Sequence, residues 1–117
     1  MDALKFAKLI ADLTKEKKGY SIKILDLRKV SGGIADYFVI CSADSDRQVK
    51  AIADDVDEKL IERGIKCFHR EGLETLNWVL MDYFDVVLHI FKHEVRAYYN
   101  LEKLWGDAPV ISIEDDK

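Results

Sequence analysis

Apolar residues recur at the spacing of an α-helix in three stretches of the chain, and residues that start or stop helices bound each stretch. The first stretch covers residues 3–13 and is followed by the stop signal Gly19. The second follows a capping box, with Ser45 as the N-cap and Gln48 three residues on, and ends at Gly64. The third covers residues 94–105. The pattern therefore predicts three helices.

Short runs rich in β-branched and aromatic residues lie between the helical stretches and predict five strands. These runs cover residues 20–27, 36–42, 65–70, 77–81 and 85–91. The last two are so close that only a hairpin can join them. The predicted order is α-β-β-α-β-β-β-α. It indicates an α/β fold with a mixed, mostly antiparallel five-stranded sheet flanked by helices, and a crossover through the second helix.

The length of 117 residues suits one compact domain, which we expect to span residues 1–109. Residues 110–117 are expected to form a frayed C-terminal tail, within which residues 110–113 could pair at a sheet edge. Residues 1–20 are amphipathic and lack an apolar leader, and no apolar stretch approaches the roughly 18 residues that span a bilayer. We therefore expect a cytoplasmic protein without a membrane partner.

The charge of the chain narrows the choice of partner. A net charge of −4 and a pI near 5.3 argue against direct sequence-specific contacts with nucleic acid, because an acidic surface repels phosphates. If this protein works near RNA, a basic protein is a better binding partner for it than the RNA itself. The two cysteines, Cys41 and Cys67, lie inside apolar runs and are expected to be buried, reduced thiols.

The sequence offers no strong motif for a cofactor or a metal. Ser31-Gly32-Gly33 lacks the further glycine or lysine that would cradle phosphates, so a tight loop is the better interpretation. The cysteines and histidines do not show the spacing of zinc ligands. A thiol buried at Cys41 would be inert as a nucleophile, even beside His89. We therefore predict no cofactor, no metal and no catalytic residue.

Three aspartates at the ends of predicted strands give an alternative. Asp36, Asp82 and Asp85 could gather a divalent cation for phosphoryl transfer, which would make the protein a metal-dependent nucleotidyltransferase. Aspartate at a turn more often caps backbone amides or contacts a partner. We favour this second interpretation.

A group of acidic and aromatic residues in the second half of the chain has the composition of a protein interface. An aromatic anchor beside carboxylates suits a basic, partly apolar partner. Strand alternation places Trp78, Leu80 and Asp82 on one face, but the pattern leaves open whether Trp78 belongs to the core or to the interface. The candidate partner-binding residues are Glu71, Gly72, Asn77, Trp78, Leu80, Asp82 and Asp85.

The last predicted helix carries an apolar stripe that could bind a partner or face the core. We assign it to core packing, because stripes at helical spacing usually face a core. Its residues are Tyr98, Leu101, Leu104 and Trp105.

Over nearly its whole length the chain resembles the ribosomal silencing factor (Iojap-like) family. The resemblance rests first on residues 34–42, IADYFVICS, and on Ser45 followed by Arg47-Gln48-Val49. Further matches are Glu71-Gly72, Trp78-Val79-Leu80, Asp82, Asp85-Val86-Val87, His89-Ile90-Phe91, Glu94, Arg96, residues 99–105 and Asp107-Ala108-Pro109.

The resemblance implies a fold similar to that of nucleotidyltransferases, although the Gly-Ser and Asp-x-Asp residues of those enzymes are missing. It further implies a non-enzymatic translational repressor that binds the large ribosomal subunit through its ribosomal protein numbered fourteen, a basic protein. The bound repressor would sterically block joining of the small subunit. A role in large-subunit assembly is an alternative, and small members of the family are expected to form homodimers through an exposed sheet surface.

Overall fold

A computed structural model describes residues 1–30 and 34–114, so the predicted loop Ser31-Gly32-Gly33 and the end of the predicted tail lie outside the described residues. The described part contains four helices and six strands. In chain order these are α1 (Ala3–Glu16), β1 (Tyr20–Asp26), β2 (Tyr37–Ala43), α2 (Asp46–Glu62), β3 (His69–Glu71), β4 (Trp78–Asp82), β5 (Val86–Lys92), α3 (His93–Tyr99), α4 (Leu101–Leu104) and β6 (Val110–Ile113). Within the described ranges no helix is both long and apolar enough to cross a lipid bilayer.

The predicted N-cap at the start of α2 is confirmed, but the second bond of a capping box is displaced by one residue, because Gln48 binds the amide of Asp44 and not that of Ser45. The Oγ atom of Ser45 accepts a hydrogen bond from the amide of Gln48 at 3.2 Å, which satisfies one of the unpaired amides of the first turn. The side chain of Gln48 accepts from the amide of Asp44 at 2.7 Å and donates to the carbonyl of Lys18 at 2.9 Å. The start of α2 is therefore tied to the end of α1.

One sheet holds all six strands in the order β3-β4-β5-β2-β1-β6. Its central neighbours β2 and β5 are parallel, with Tyr37 opposite Val86 and Ala43 opposite Lys92. The other neighbouring pairs are antiparallel. The parallel pair requires a crossover, and the segment from α2 through β4 provides it. The predicted mixed sheet flanked by helices is confirmed in this form.

The predicted count of five strands is wrong, because β6 adds a sixth. This strand pairs antiparallel with β1, with Ile22 opposite Ile113 and Leu25 opposite Val110. Its four residues alternate between exposed and half-buried, which is a weak signal in a sequence. The third predicted strand is also shorter than expected, since only His69–Glu71 pairs with β4.

The predicted final helix is two helices, because the backbone becomes left-handed at Asn100 with a φ of 47°. The side chain of Asn100 then caps α4. The break rotates the apolar stripe, so that Leu101 is buried and Trp105 half-buried, whereas Tyr98 and Leu104 are 81% and 70% exposed. The assignment of the stripe to core packing is therefore wrong for Tyr98 and Leu104.

The two faces of the sheet are covered differently. Helices α1 and α2 pack over one face, which we call the α1–α2 face, and α3 and α4 cover part of the other, the α3–α4 face. Strand residues buried on the α1–α2 face include Ile22, Ile24, Val39, Cys41, Val79, Met81, Leu88 and Ile90. The α3–α4 face buries Leu25, Phe38, Ile40, Val87 and Phe91 and leaves Trp78, Leu80 and Trp105 partly buried.

Candidate partner-binding site

Trp78 opens β4 and is half-buried on the α3–α4 face, so it is neither a fully buried core residue nor a fully exposed one. Its indole Nε1 donates a hydrogen bond to Nδ1 of His89 at 3.0 Å. The indole stacks on Phe91, with ring centroids 5.1 Å apart, and contacts the ring of Tyr99 at 4.7 Å. The side chain is therefore held in one orientation while part of it faces solvent.

His89 on β5 is the buried residue that fixes the orientation of the Trp78 indole. Its ring is buried against Phe38, with centroids 4.5 Å apart, and burial lowers the pKa of His89 to about 3. The imidazole is neutral, and because Nδ1 accepts the indole proton, the ring proton lies on Nε2. Within residues 1–30 and 34–114, Nε2 has no hydrogen-bond partner.

The structure separates the cysteine and histidine that a nucleophilic site would need. Cys41 lies on the α1–α2 face, whereas His89 pairs in register with Ile40 and lies on the opposite face. Burial raises the pKa of Cys41 to about 12, so the group is a thiol at neutral pH. Both cysteines are free, and Cys67 is half-buried rather than fully buried as expected.

Gly72 supports Trp78 through the backbone. Its φ of +89° is left-handed, and a Cβ atom added there would lie 1.9 Å from the carbonyl oxygen of Trp78. The carbonyl of Gly72 also accepts a hydrogen bond from the amide of Leu76 at 2.9 Å, closing the loop before β4. Gly72 is thus required by local geometry and offers a partner no side chain.

Glu71 and Asn77 flank this loop and are both exposed. Glu71 ends β3, where its carboxylate lies 3.2 Å from Nε2 of His69 in an exposed contact that contributes little stability. The carbonyl of Asn77 accepts a hydrogen bond from the amide of Lys92 at 3.0 Å. Glu71 therefore offers a charged side chain to a partner, and Asn77 extends the ladder between β4 and β5.

The three aspartates of the catalytic alternative lie around the hairpin between β4 and β5. Oδ1 of Asp82 accepts a hydrogen bond from the amide of Phe84 at 2.8 Å, so this carboxylate caps the turn. The carbonyl of Asp85 accepts from the amides of Asp36 and Tyr37 at 2.9 and 3.1 Å. Among the described residues, no three carboxylate, thiol or imidazole side chains come together as a metal site.

The structure brings four of the candidate residues together on the α3–α4 face. Trp78, Leu80 and Asp82 alternate along β4, and Glu71 stands opposite Leu80 across the ladder with β3. Directly opposed residues project their side chains from the same face of a sheet. The result is an aromatic and aliphatic surface with Glu71 beside Leu80 on the neighbouring strand, Asp82 at the end of β4 and Asp85 beyond the turn.

Sequence reasoning missed two aromatic residues next to this surface. Tyr99 contacts the indole of Trp78 from the end of α3, a contact that depends on the helix break at Asn100. Phe84 is displayed by the hairpin between Asp82 and Asp85 and is 70% exposed. A large apolar residue inside an acidic turn was a usable signal for Phe84. No local pattern could have indicated the position of Tyr99.

Comparison with known proteins was made for both sequence and fold. A family model described as "Ribosomal silencing factor during starvation" matches residues 1–117. The protein named Ribosomal silencing factor RsfS from Bacillus subtilis (strain 168) is 42% identical over 114 residues, which covers 97% of this chain and 96% of that protein. A protein of the same name from Halalkalibacterium halodurans is 44% identical over 106 residues and covers 91% of this chain and 90% of its own.

The likeness extends to three dimensions. The crystal structure of protein CV0518 from Chromobacterium violaceum superposes with a TM-score of 0.85 at 39% sequence identity. The match covers 91% of this chain and 88% of that one. Nearly the whole described fold is therefore shared with that protein.

Proposed function

The chain belongs to the ribosomal silencing factor family, and we propose that it represses translation by docking on the large ribosomal subunit through its α3–α4 face. Family membership supports a role in ribosome silencing. The proposal adds the partner and the mechanism. The partner is the basic ribosomal protein numbered fourteen of the large subunit, and the bound repressor sterically prevents the small subunit from joining.

The partly uncovered α3–α4 face is the observation that carries the proposal. Trp78 is held by its hydrogen bond to His89 and by stacking on Phe91, so it loses little conformational freedom when a partner covers it. Fixed aromatic side chains are frequent binding hot spots. The neighbouring carboxylates of Glu71 and Asp82 complement a basic protein and steer its approach.

The sign of the charge favours a ribosomal protein over ribosomal RNA as the docking partner. The chain carries a net charge of −4, and the two charged side chains nearest Trp78 and Leu80 among the candidate residues, Glu71 and Asp82, are carboxylates. Contacts with the phosphate backbone would require lysine and arginine instead. Occlusion of the small subunit requires no chemical step from the protein.

Co-sedimentation with purified large subunits tests the proposal. The intact protein is expected to sediment with large subunits and to prevent added small subunits from joining. Replacing the anchor in Trp78→Ala is expected to weaken binding by roughly 30-fold, which corresponds to the loss of about 2 kcal/mol. Glu71→Lys is expected to weaken binding as well, because it places a cation against a basic partner.

A charge-matched control separates this face from the rest of the molecule. Glu58 is an exposed glutamate on α2, on the far side of the sheet, and Glu58→Lys changes the net charge as Glu71→Lys does. The control is expected to bind like the intact protein. Failure of the intact protein to bind contradicts the proposal, and equal losses for the two variants contradict the choice of face. Circular dichroism confirms that each variant is folded.

Self-association is a second part of the proposal. Strand β3 forms one edge of the sheet, and its residues are exposed. An unpaired edge can add a strand from another copy of the chain, so a homodimer could cover the same surface as the ribosomal partner. The two associations should then compete. A dimer that stays intact while bound to large subunits would contradict this part.

A further inference from the structure

The hairpin between β4 and β5 displays a phenylalanine in an unfavourable backbone conformation. Phe84 has a φ of +77° and its side chain is 70% exposed. A bulky residue in the left-handed region costs of order 1 kcal/mol or more relative to glycine, so the rest of the fold must hold it there. Neither feature contributes to the stability of the core.

The residues beside Phe84 show how it is held. Oδ1 of Asp82 accepts a hydrogen bond from its amide at 2.8 Å, and the preceding residue, Tyr83, is buried with its hydroxyl 3.2 Å from Oδ1 of Asp57. After Phe84, the carbonyl of Asp85 is bonded to two amides at the start of β2. The turn is fixed on both sides, and the ring projects from a rigid frame.

A second exposed ring lies against the first. Phe68 is 74% exposed, and its ring centroid is 5.6 Å from that of Phe84. The amide of Phe68 donates to the carbonyl of Asp82 at 2.8 Å, so both rings are attached to the end of β4. Two adjacent phenylalanines in water form an apolar patch of the kind that marks a binding surface.

On the other side of Phe84 lies a cavity of about 290 Å³, which we call the Phe84 pocket. Its walls are Leu27, Arg28, Val30, Ile34, Ala35, Asp36, Phe84 and Asp85. Five of these eight residues are apolar and two of the others are carboxylates, and polar atoms make up most of the surface that lines the cavity. The cation of Arg28 is already committed, since its guanidinium bonds both carboxylate oxygens of Asp26 at 3.0 and 2.8 Å.

Among the described residues, the carboxylates of Asp36 and Asp85 form no ion pair of this kind, although Asp36 is near enough to Arg28 to interact with it electrostatically. No ion pair within residues 1–30 and 34–114 uses Asp36, Asp82 or Asp85, although eight other pairs form there. An aromatic ring attracts a cation over its face and packs against the methylene stem of a long side chain, and carboxylates bind the charged head of that side chain. These are the requirements of a lysine or arginine side chain.

We propose that the Phe84 pocket receives a lysine or arginine side chain of the basic partner protein, with Phe84 and Phe68 packing against the apolar surface around it. The inference rests on the proposed docking on the large subunit and extends that surface from Trp78 along β4 to the hairpin. Asp82 links the two parts, because it lies on the same strand face as Trp78 and caps the turn that carries Phe84. Carboxylates disfavour RNA phosphate as the occupant.

Binding of purified large subunits to the variants Phe84→Gly and Asp85→Asn tests the pocket. Phe84→Gly removes the ring and suits the left-handed backbone, so its thermal midpoint is expected to equal or exceed that of the intact protein. Both variants are expected to raise the dissociation constant about tenfold or more. Asp85→Asn should also make binding less sensitive to salt.

Matched controls lie on α2, across the sheet. Ile61→Ala removes an exposed apolar side chain and Glu58→Gln an exposed carboxylate, and both are expected to bind like the intact protein. If Phe84→Gly binds as tightly as the intact protein, the pocket proposal is wrong, but the proposed docking is unaffected. The same conclusion follows if all four variants bind equally weakly. If the intact protein itself does not bind, the proposed function fails first, and the pocket fails with it.

Discussion

The two faces of the sheet are built from the same strands but differ in what they bury. On the α1–α2 face, Val79 and Met81 of β4 are fully buried among aliphatic side chains from both long helices. On the α3–α4 face, their neighbours Trp78 and Leu80 are only half-buried, and a neutral histidine lies among aromatic rings. One strand therefore contributes to a closed core with one side and to an accessible surface with the other.

Because of this difference, the residues on one side of β4 mainly stabilise the fold, and those on the other side are available to bind a partner. Aliphatic side chains under two helices contribute most of their free energy to folding, because all of their apolar area leaves water when the chain folds. Half-buried aromatic side chains keep apolar area that a partner can still cover. The α1–α2 face should therefore respond to mutation in unfolding measurements, and the α3–α4 face in binding measurements.

Neighbouring substitutions on β4 give the largest test of this separation. Met81→Ala is expected to lower the free energy of unfolding by about 3 kcal/mol, because it opens a cavity in a closed core. Leu80→Ala should cost about 1 kcal/mol, since the side chain is already partly hydrated. Denaturant unfolding measures both. Equal costs would show that the α3–α4 face is covered in solution, for example by a second copy of the chain.

Two left-handed glycines allow a second test. Gly72→Ala is expected to cost about 2 kcal/mol, because the new Cβ would meet the carbonyl of Trp78 and push the start of β4 away. Gly64 has a similar φ of +80° but nothing within 4 Å of an added Cβ, so Gly64→Ala should cost only about 1 kcal/mol. Similar losses in thermal unfolding would mean that the Gly72 loop can move without strain.

Because His89 is buried on the α3–α4 face, we expect it to make the free energy of unfolding depend on pH. Burial lowers the pKa of His89 to about 3, whereas the unfolded chain has the ordinary value of 6.5. Between these values the unfolded state binds a proton that the folded state excludes. The contribution of His89 to the free energy of unfolding should therefore fall as the pH is lowered between these two values, by up to about 1.4 kcal/mol for each pH unit.

The variant His89→Gln isolates this contribution. Its amide oxygen can still accept a hydrogen bond from Trp78, but the side chain does not titrate. Denaturant unfolding between pH 7 and pH 5 should show a smaller loss of stability for the variant than for the intact protein. Identical slopes would mean that His89 is protonated in the folded state. Other titrating groups affect both proteins alike, so the difference in slope is diagnostic.

The sequence predicted those parts of the fold that depend on short-range patterns. The N-cap at Ser45, and the alternation of Trp78 and Leu80 with Val79 and Met81, were each visible within a few residues. Local patterns could not show how far α3 and α4 cover the second face. That coverage decides whether Trp78 is core or surface, and it depends on packing between distant segments.

The parts that the sequence did not predict depend on backbone conformation and long-range pairing. The left-handed φ at Asn100 divides the last helix and turns Tyr98 and Leu104 outwards, although the apolar spacing continues through it. The sequence left open whether residues 110–113 pair at a sheet edge, and it could not show that β1 is the strand with which they pair. Phe84 occupies a left-handed turn position that favours glycine, so turn rules did not predict its backbone conformation, although its place between two aspartates was a usable signal of exposure.

The pairing of β6 with β1 also sets the order in which the chain can finish folding during its own synthesis. Translation produces β1 early and residues 110–113 after every other described strand, yet Ile22 pairs with Ile113. The parallel neighbours β2 and β5 must likewise wait for the whole crossover to emerge. The nascent chain therefore cannot complete its sheet until residues 110–113 have been synthesised. If docking on the large subunit requires the finished sheet, a nascent chain that still lacks β6 cannot silence the ribosome that is making it.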